Sequence, residues 1–159
     1  MIFVTVGGQM PFDRMILAVD RWARDRKRDD VVAQIGPSDL KPEHIEWTHS
    51  LTRDLFIMEI KKADCLVAHA GWGTIISALE NAKPIILFPR KADLRETRND
   101  HQSATAQSFS HHPGIAVAFD EDELRHHLDN LEAITAPKKI GPFASPELLA
   151  AVKDFIDAP

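Results

Sequence analysis

Hydrophobic and polar positions along this chain follow a repeated strand-then-helix order. An apolar run at residues 1–6 predicts a first strand, which empties through Gly7, Gly8 and Gln9. Phe12, Met15, Ile16, Val19, Trp22 and Ala23 then keep a helical period. The charge run at 24–30 is expected to be that helix's solvated last turn. The pattern predicts a second strand at 31–35, stopped by Gly36 and Pro37, a weaker third at 45–48, and a helix at 52–63. Strand 65–69 and helix 73–82 follow, then an apolar run at 84–89, a polar loop at 90–98 and a helix at 99–110. Strand 115–119, helix 120–131 and a final helix at 145–157 complete the chain; Ser145 as N-cap with Pro146 at the first helical position marks the last start. Short apolar strands without polar alternation, each followed by a helix, imply an α/β fold: a doubly wound, Rossmann-like parallel sheet covered on both faces.

In such sheets ligands bind at the carboxyl ends of the strands. Three segments with unusual residues reach that rim: Gly7-Gly8-Gln9, the stretch from His69 through Ala70, Gly71, Trp72 and Gly73 to Thr74, and the polar stretch at 96–102. A strand that passes through glycines into a helix brings bare N–H groups to the positive end of the helix dipole, which suits a diphosphate. Neither glycine pair forms a dinucleotide or P-loop fingerprint, and each also reads as a plain tight turn. Trp72 has two readings, stacked on a base or sugar, or tucked under a neighbouring loop. His69 ends its strand at the rim, either facing phosphate, neutral or protonated, or bonded to a nearby carbonyl. Arg90 and Arg98 read as phosphate contacts or as surface arginines.

Composition narrows the chemistry. With 159 residues, 44% hydrophobic, the chain suits one globular domain. A net charge of -5 gives no general attraction to nucleic acid. One cysteine, Cys65, inside a predicted strand, excludes a disulfide framework and fits a reducing, cytoplasmic setting. A strand starting at Met1 is expected to leave no room for a leader, and no apolar run approaches the roughly 20 residues that span a bilayer. No metal is expected: the pairs His111-His112 and His126-His127 diverge on a helix, and Asp120 with Glu123 reads as a capping box.

Taken together, residues 4–14, His69 through Thr74, the segment 77–84 and Arg98-Asn99-Asp100-His101-Gln102 resemble the carboxy-terminal, donor-binding half of MurG-like GT-B glycosyltransferases. They are most similar to PssE/EpsE-type subunits of bacterial exopolysaccharide synthesis, relatives of the small subunit that adds a second GlcNAc to a dolichol-linked oligosaccharide. The resemblance implies a UDP-sugar substrate and no cofactor. Uracil and ribose would lie against the unit 63–84, the diphosphate against Gly7, Gly8, Gln9, Gly71, Trp72, Gly73 and Thr74. Asn99, Asp100 and Gln102 would read the sugar, with His69 and Asp100 as the catalytic candidates. Relatives hold the ribose with a Glu where this chain has Ser77; Glu80, one turn on, is the nearby acid.

A GT-B enzyme closes a cleft between two such domains, so the resemblance implies a membrane-associated partner that presents a lipid-linked acceptor and holds this chain at the inner face of the membrane. The final helix and the segment 137–143 are expected either to dock that partner or to pack back on the domain. Two other readings stay open: a nucleotide-sugar-binding regulator without turnover, and an NAD-type oxidoreductase, which the missing fingerprint disfavours.

Overall fold

The computed structural model describes residues 1–141 and 143–157; Pro142, within the predicted docking segment, and the last two residues lie outside the described part. Among the described residues the chain runs β1 (Ile2–Thr5), α1 (Asp13–Arg26), β2 (Val31–Gln34), β3 (Glu46–Thr48), α2 (Arg53–Lys62), β4 (Cys65–Ala68) and α3 (Trp72–Glu80). It continues β5 (Ile85–Leu87), α4 (His101–Phe109), β6 (Ile115–Val117), α5 (Glu121–Asp129), a short 3₁₀ turn and α6 (Pro146–Asp157). The strands form one parallel sheet in the order β3-β2-β1-β4-β5-β6. The chain leaves β1 toward one edge and β4 toward the other. Their carboxyl ends therefore bound the crevice where strand order reverses, the usual ligand position in open α/β sheets.

Period-two alternation along β1 divides the core. Ile2, Val4 and Val6 face α1 and α5, with Met15, Ile16, Val19, Trp22 and Leu124 packed among them. Phe3 faces the other layer, with Ile60, Leu66, Ile75, Leu79 and Ala106. Both faces of the strands are buried, which is why they read as continuous apolar runs.

Local chemistry fixes the helix ends. Thr52 caps α2 by accepting from the Leu55 N–H, and Asp120 caps α5 from Glu123 N–H at 2.8 Å while the Glu123 carboxylate accepts from Phe119 N–H. The acidic run at 120–122 is thus a helix start. Ser145 Oγ accepts from Leu148 N–H, as the Ser-Pro signal predicted. As expected, the charge run at 24–30 is largely solvated, with residues 24–27 and 29 exposed, and it also carries surface ion pairs. Arg26 grips Asp129 with two bonds of 2.7 and 2.6 Å, Trp22 Nε1 donates to the same carboxylate, and Arg28 grips Asp30. The Arg26–Asp129 pair ties α1 to α5, while the Arg28–Asp30 pair lies within the connection from α1 to β2. No α6 residue is buried, so the reading in which the last helix packs back on the domain is corrected.

Candidate nucleotide-sugar site

The rim at the switch point is built by two glycine loops clasping one histidine. Gly7 holds a left-handed φ of 78°, and its N–H donates to Thr5 Oγ1 at 3.3 Å. The Gly7 carbonyl accepts from Gln34 Nε2 at 3.1 Å, and the Gln34 Oε1 accepts from the Thr5 hydroxyl at 2.6 Å. Thr5 and Gln34 are both buried, so this bracket holds the first loop against the sheet without help from solvent. Their signal in the sequence is a polar side chain closing each of two apolar strands.

The His69 ring fills the space between the loops. A Cβ added to Gly7 would lie 2.7 Å from His69 Cε1, and one added to Gly71 would overlap His69 Nε2. Both glycines are therefore required by the imidazole itself. His69 Nδ1 is buried without a hydrogen-bond partner among the described residues. Burial of the ring, reinforced by the nearby Arg90 charge and opposed by the Thr5 carbonyl, pushes its pKa down to about 4. Of the two charge states open to the sequence, the structure selects the neutral one at ordinary pH.

That shift has a stability consequence. The unfolded chain takes up the His69 proton near the ordinary value of 6.5, the folded one only near 4. Stability attributable to His69 is thus full above about pH 6.5 and falls, by up to about 3 kcal/mol, as pH drops toward 4. Urea unfolding of the wild type and His69→Gln at pH 7 and pH 4.5 should show the smaller pH loss in the variant; equal losses would contradict the burial argument.

Beside the histidine, the rim presents donors. Among the described residues the N–H groups of Gly8, Gln9, Trp72 and Gly73 find no acceptor in the chain, the latter two being the first N–H groups of α3. Beyond its own chain neighbours and helix backbone, a Cβ built on Gly8 or Gly73 would meet nothing within 4 Å, so that space is open to an approaching ligand. A cleft of about 320 Å³ is lined by Gly7, Gly8, Gln9, His69, Thr97 and Gln102, with Arg90 in its wall. A second, of about 230 Å³, opens on the other side of Gly7-Gly8 beside Thr5, Gln34, Ser50, Leu51, Phe56 and Thr74. A larger hollow, about 640 Å³ along β6 and α5, shares no lining residue with either.

Arg90 is buried rather than at the surface. It is 4% exposed, and its guanidinium donates to the carbonyls of Val6, Met10, Pro11 and Glu96 while lying 4.6 Å over the Phe12 ring. It stitches the first loop to the loop after β5. Arg98 is exposed. Gln102 Oε1 accepts from the Arg90 backbone N–H at 3.2 Å, leaving its Nε2 donors for a ligand.

Other predicted residues sit elsewhere. Trp72 is 58% exposed and meets Phe109 of α4 edge-on at 5.3 Å, so it leans on a neighbouring helix. The Ser77 hydroxyl donates back to the Gly73 carbonyl, and neither Ser77 nor Glu80, the last residue of α3, lines a cleft. Asp100 Oδ1 accepts from Ala92 N–H and Asn99 Oδ1 from His101 N–H, so both serve the loop and the start of α4, outside the cleft lining. Asp13 accepts the Ser38 hydroxyl at 2.6 Å. Among the described residues no three His, Cys, Asp or Glu side chains lie close enough to hold a metal, and no helix is long and apolar enough to cross a membrane.

A 3-2-1-4-5-6 parallel sheet with free backbone donors at its switch point defines a Rossmann-like α/β domain of the kind found in GT-B glycosyltransferases. The profile of the glycosyltransferase family 28 C-terminal domain matches residues 1–145, and the chain belongs to that family. It is 30% identical over 119 residues to the human UDP-N-acetylglucosamine transferase subunit ALG13, which covers 68% of this chain but only 10% of that protein. The solution structure of ALG13 superposes with a TM-score of 0.61 at 14% identity, covering 95% of this chain and 93% of that one. The kitacinnamycin glycotransferase gives 0.61 at 19% identity over 82% of this chain and 34% of its own. UDP-GlcNAc 2-epimerase from Neisseria meningitidis also gives 0.61, at 10% identity, over 98% of this chain and 44% of its own. The fold is thus shared by transferases and epimerases, and family membership separates them.

Proposed function

We propose that this protein binds a UDP-hexose and donates its sugar to a polyprenyl-linked acceptor in exopolysaccharide synthesis, together with a membrane-associated partner. The observation that carries the reading is the set of unpaired N–H groups at Gly8, Gln9, Trp72 and Gly73, gathered at the switch point beside a neutral histidine. Such donors match the charge that builds on a departing diphosphate. The second cleft, lined by Thr74 of the unit 63–84 and, outside that unit, by Leu51 and Phe56, would take the planar base. Family membership and the ALG13 relative's description as a UDP-N-acetylglucosamine transferase subunit support the same assignment.

In an inverting transfer the acceptor oxygen attacks the anomeric carbon, the bond from that carbon to the diphosphate breaks, and a base takes the acceptor's proton. This chain holds the donor and stabilises the leaving group. Asp13 and Glu96 are bound to Ser38 and Arg14, and Asp100 lies outside the cleft lining, which supports a base supplied by the partner or by the cleft the two share. The partner's seat is α6, whose Leu148, Leu149, Val152, Phe155 and Ile156 form one exposed apolar stripe.

Three measurements test this reading. Calorimetry should give heat with UDP and none with NAD. A radiolabelled UDP-sugar panel, with membranes carrying the candidate partner, should give label in lipid. A chain ending at residue 144 should melt within about 2 °C of the full chain, as loss of an unburied helix predicts, yet lose transfer. Binding of UDP-sugar with no turnover under any partner condition would favour a regulatory subunit instead.

A further inference from the structure

A two-bond ion pair links α1 to the loop after β5. Arg14 Nε donates to Glu96 Oε1 at 2.6 Å and Arg14 Nη2 to Glu96 Oε2 at 2.9 Å, with both side chains only 15% and 12% exposed. Arg14 also donates to the Pro89 carbonyl and lies 4.2 Å over the Phe88 ring. Glu96 Oε2 takes a further bond from the Lys91 N–H at 2.9 Å, and the Glu96 carbonyl takes one from Arg90. Glu96 follows Arg95, which holds a left-handed φ of 58°, a conformation costly for a residue with a side chain. The pair holds the chain in that course. Thr97, the next residue, and Gln102, five further on, line the same cleft as Gly7-Gly8.

We propose that Arg14 and Glu96 form a positioning latch for the glycosyl group of the donor. It fixes Thr97 and Gln102 at one distance from the diphosphate loop, so that the sugar beyond the diphosphate is held in a single pose. This rests on the reading of the cleft as a UDP-sugar site. Neither residue lines the cleft, so neither is a catalytic residue. The nucleotide half of the ligand rests on Gly7, Gly8 and α3, which the latch does not touch. Its loss therefore acts on the sugar and spares the nucleotide, because a bidentate guanidinium–carboxylate pair sets geometry as well as energy.

The test is calorimetry with UDP, UDP-glucose and UDP-GlcNAc on the full chain, for wild type, Glu96→Gln, Arg14→Glu and the swap Arg14→Glu/Glu96→Arg. Glu96→Gln keeps the side chain's shape and guards against a folding defect in the Arg14 variant. For the UDP-sugar that wild type holds most tightly, the ratio of its affinity to that of UDP should fall about tenfold in both single variants, with UDP affinity within about twofold of wild type. The swap should recover part of that ratio and stop short of wild type, because a glutamate at 14 faces Glu121 and an arginine at 96 cannot accept from the Lys91 N–H. Parallel loss of UDP and UDP-sugar affinity, or an unchanged ratio, would overturn the latch while leaving the site itself intact. Wild type that binds neither UDP nor UDP-sugar would overturn the underlying site and the latch with it.

Discussion

Replacing Arg90 by alanine should destabilise the protein by about 3 kcal/mol or more, which for a domain of this size lowers the melting temperature by roughly 6–12 °C. The guanidinium is almost wholly buried and supplies donors to four main-chain carbonyls, at Val6, Met10, Pro11 and Glu96. Truncation leaves those acceptors unpaired and opens a void over Phe12 and beside Phe88, which stack at 5.7 Å. Lysine is not a substitute. It carries the charge but presents three donors from one point, whereas the carbonyls here come from two loops and fit a planar fork. Arg90→Lys should therefore recover less than half of the lost stability, and UDP affinity should fall in both variants because the Gly7-Gly8 loop loses its tether. Thermal unfolding read beside UDP calorimetry checks this; a lysine variant with wild-type melting would mean that the charge alone suffices.

Arg90 also marks the limit of what the sequence makes legible. Its neighbourhood, Phe88-Pro89-Arg90 after a buried strand at a ligand rim, equally fits a phosphate-binding arginine. What sets its burial is that carbonyls about 80 positions earlier in the chain point at it, and no local pattern records that. The fold was legible because its causes are local or periodic. Strands buried on both faces appear as unbroken apolar runs, and Thr52, Asp120 and Ser145 announce helix starts through their own hydrogen bonds. Element ends drifted where no such signal acts. The helix expected from Asn99 starts at His101, because Asn99 and Asp100 spend their side chains on the N–H groups of His101 and Ala92.

The candidate site was half legible for the same reason. Glycine loops after β1 and β4 are local features, and they meet at the switch point as the strand order requires. The partners that shape them are not local. Gln34 reaches Gly7 from the neighbouring strand, and Thr97 lines the cleft next to Glu96, which is tied to Arg14 of α1. Ser77 and Glu80 follow Gly73 at helical spacing, but each step along a helix moves about 1.5 Å from the rim, so sequence proximity overstates their reach. Likewise the exposed stripe of α6 looks the same in sequence whether it is buried at home or left for another surface.

Gly71→Ala should cost about 100-fold in UDP affinity, close to 2.7 kcal/mol, while leaving the sheet folded. The backbone of Gly71, at φ −92° and ψ 131°, is open to any residue, so dihedral strain is not the reason. The reason is His69: an added methyl would overlap Nε2, and the ring cannot retreat because Gly7 lies within contact on its other side. Either the imidazole or the start of α3 must move, and both carry groups that face the diphosphate in the proposed site. Removing the ring should relieve the collision, so Gly71→Ala/His69→Ala should bind UDP better than Gly71→Ala alone. Gly73→Ala separates this cause from the ligand's own demands. Beyond its chain neighbours and the helix's own backbone, that methyl meets nothing within 4 Å in the free chain, and alanine in the first turn of α3 should raise stability by up to about 1 kcal/mol. UDP, however, must approach the bare N–H groups there, so Gly73→Ala should melt higher and bind less tightly. A Gly73→Ala chain that gains stability and keeps wild-type UDP affinity would show that the diphosphate does not rest on the start of α3.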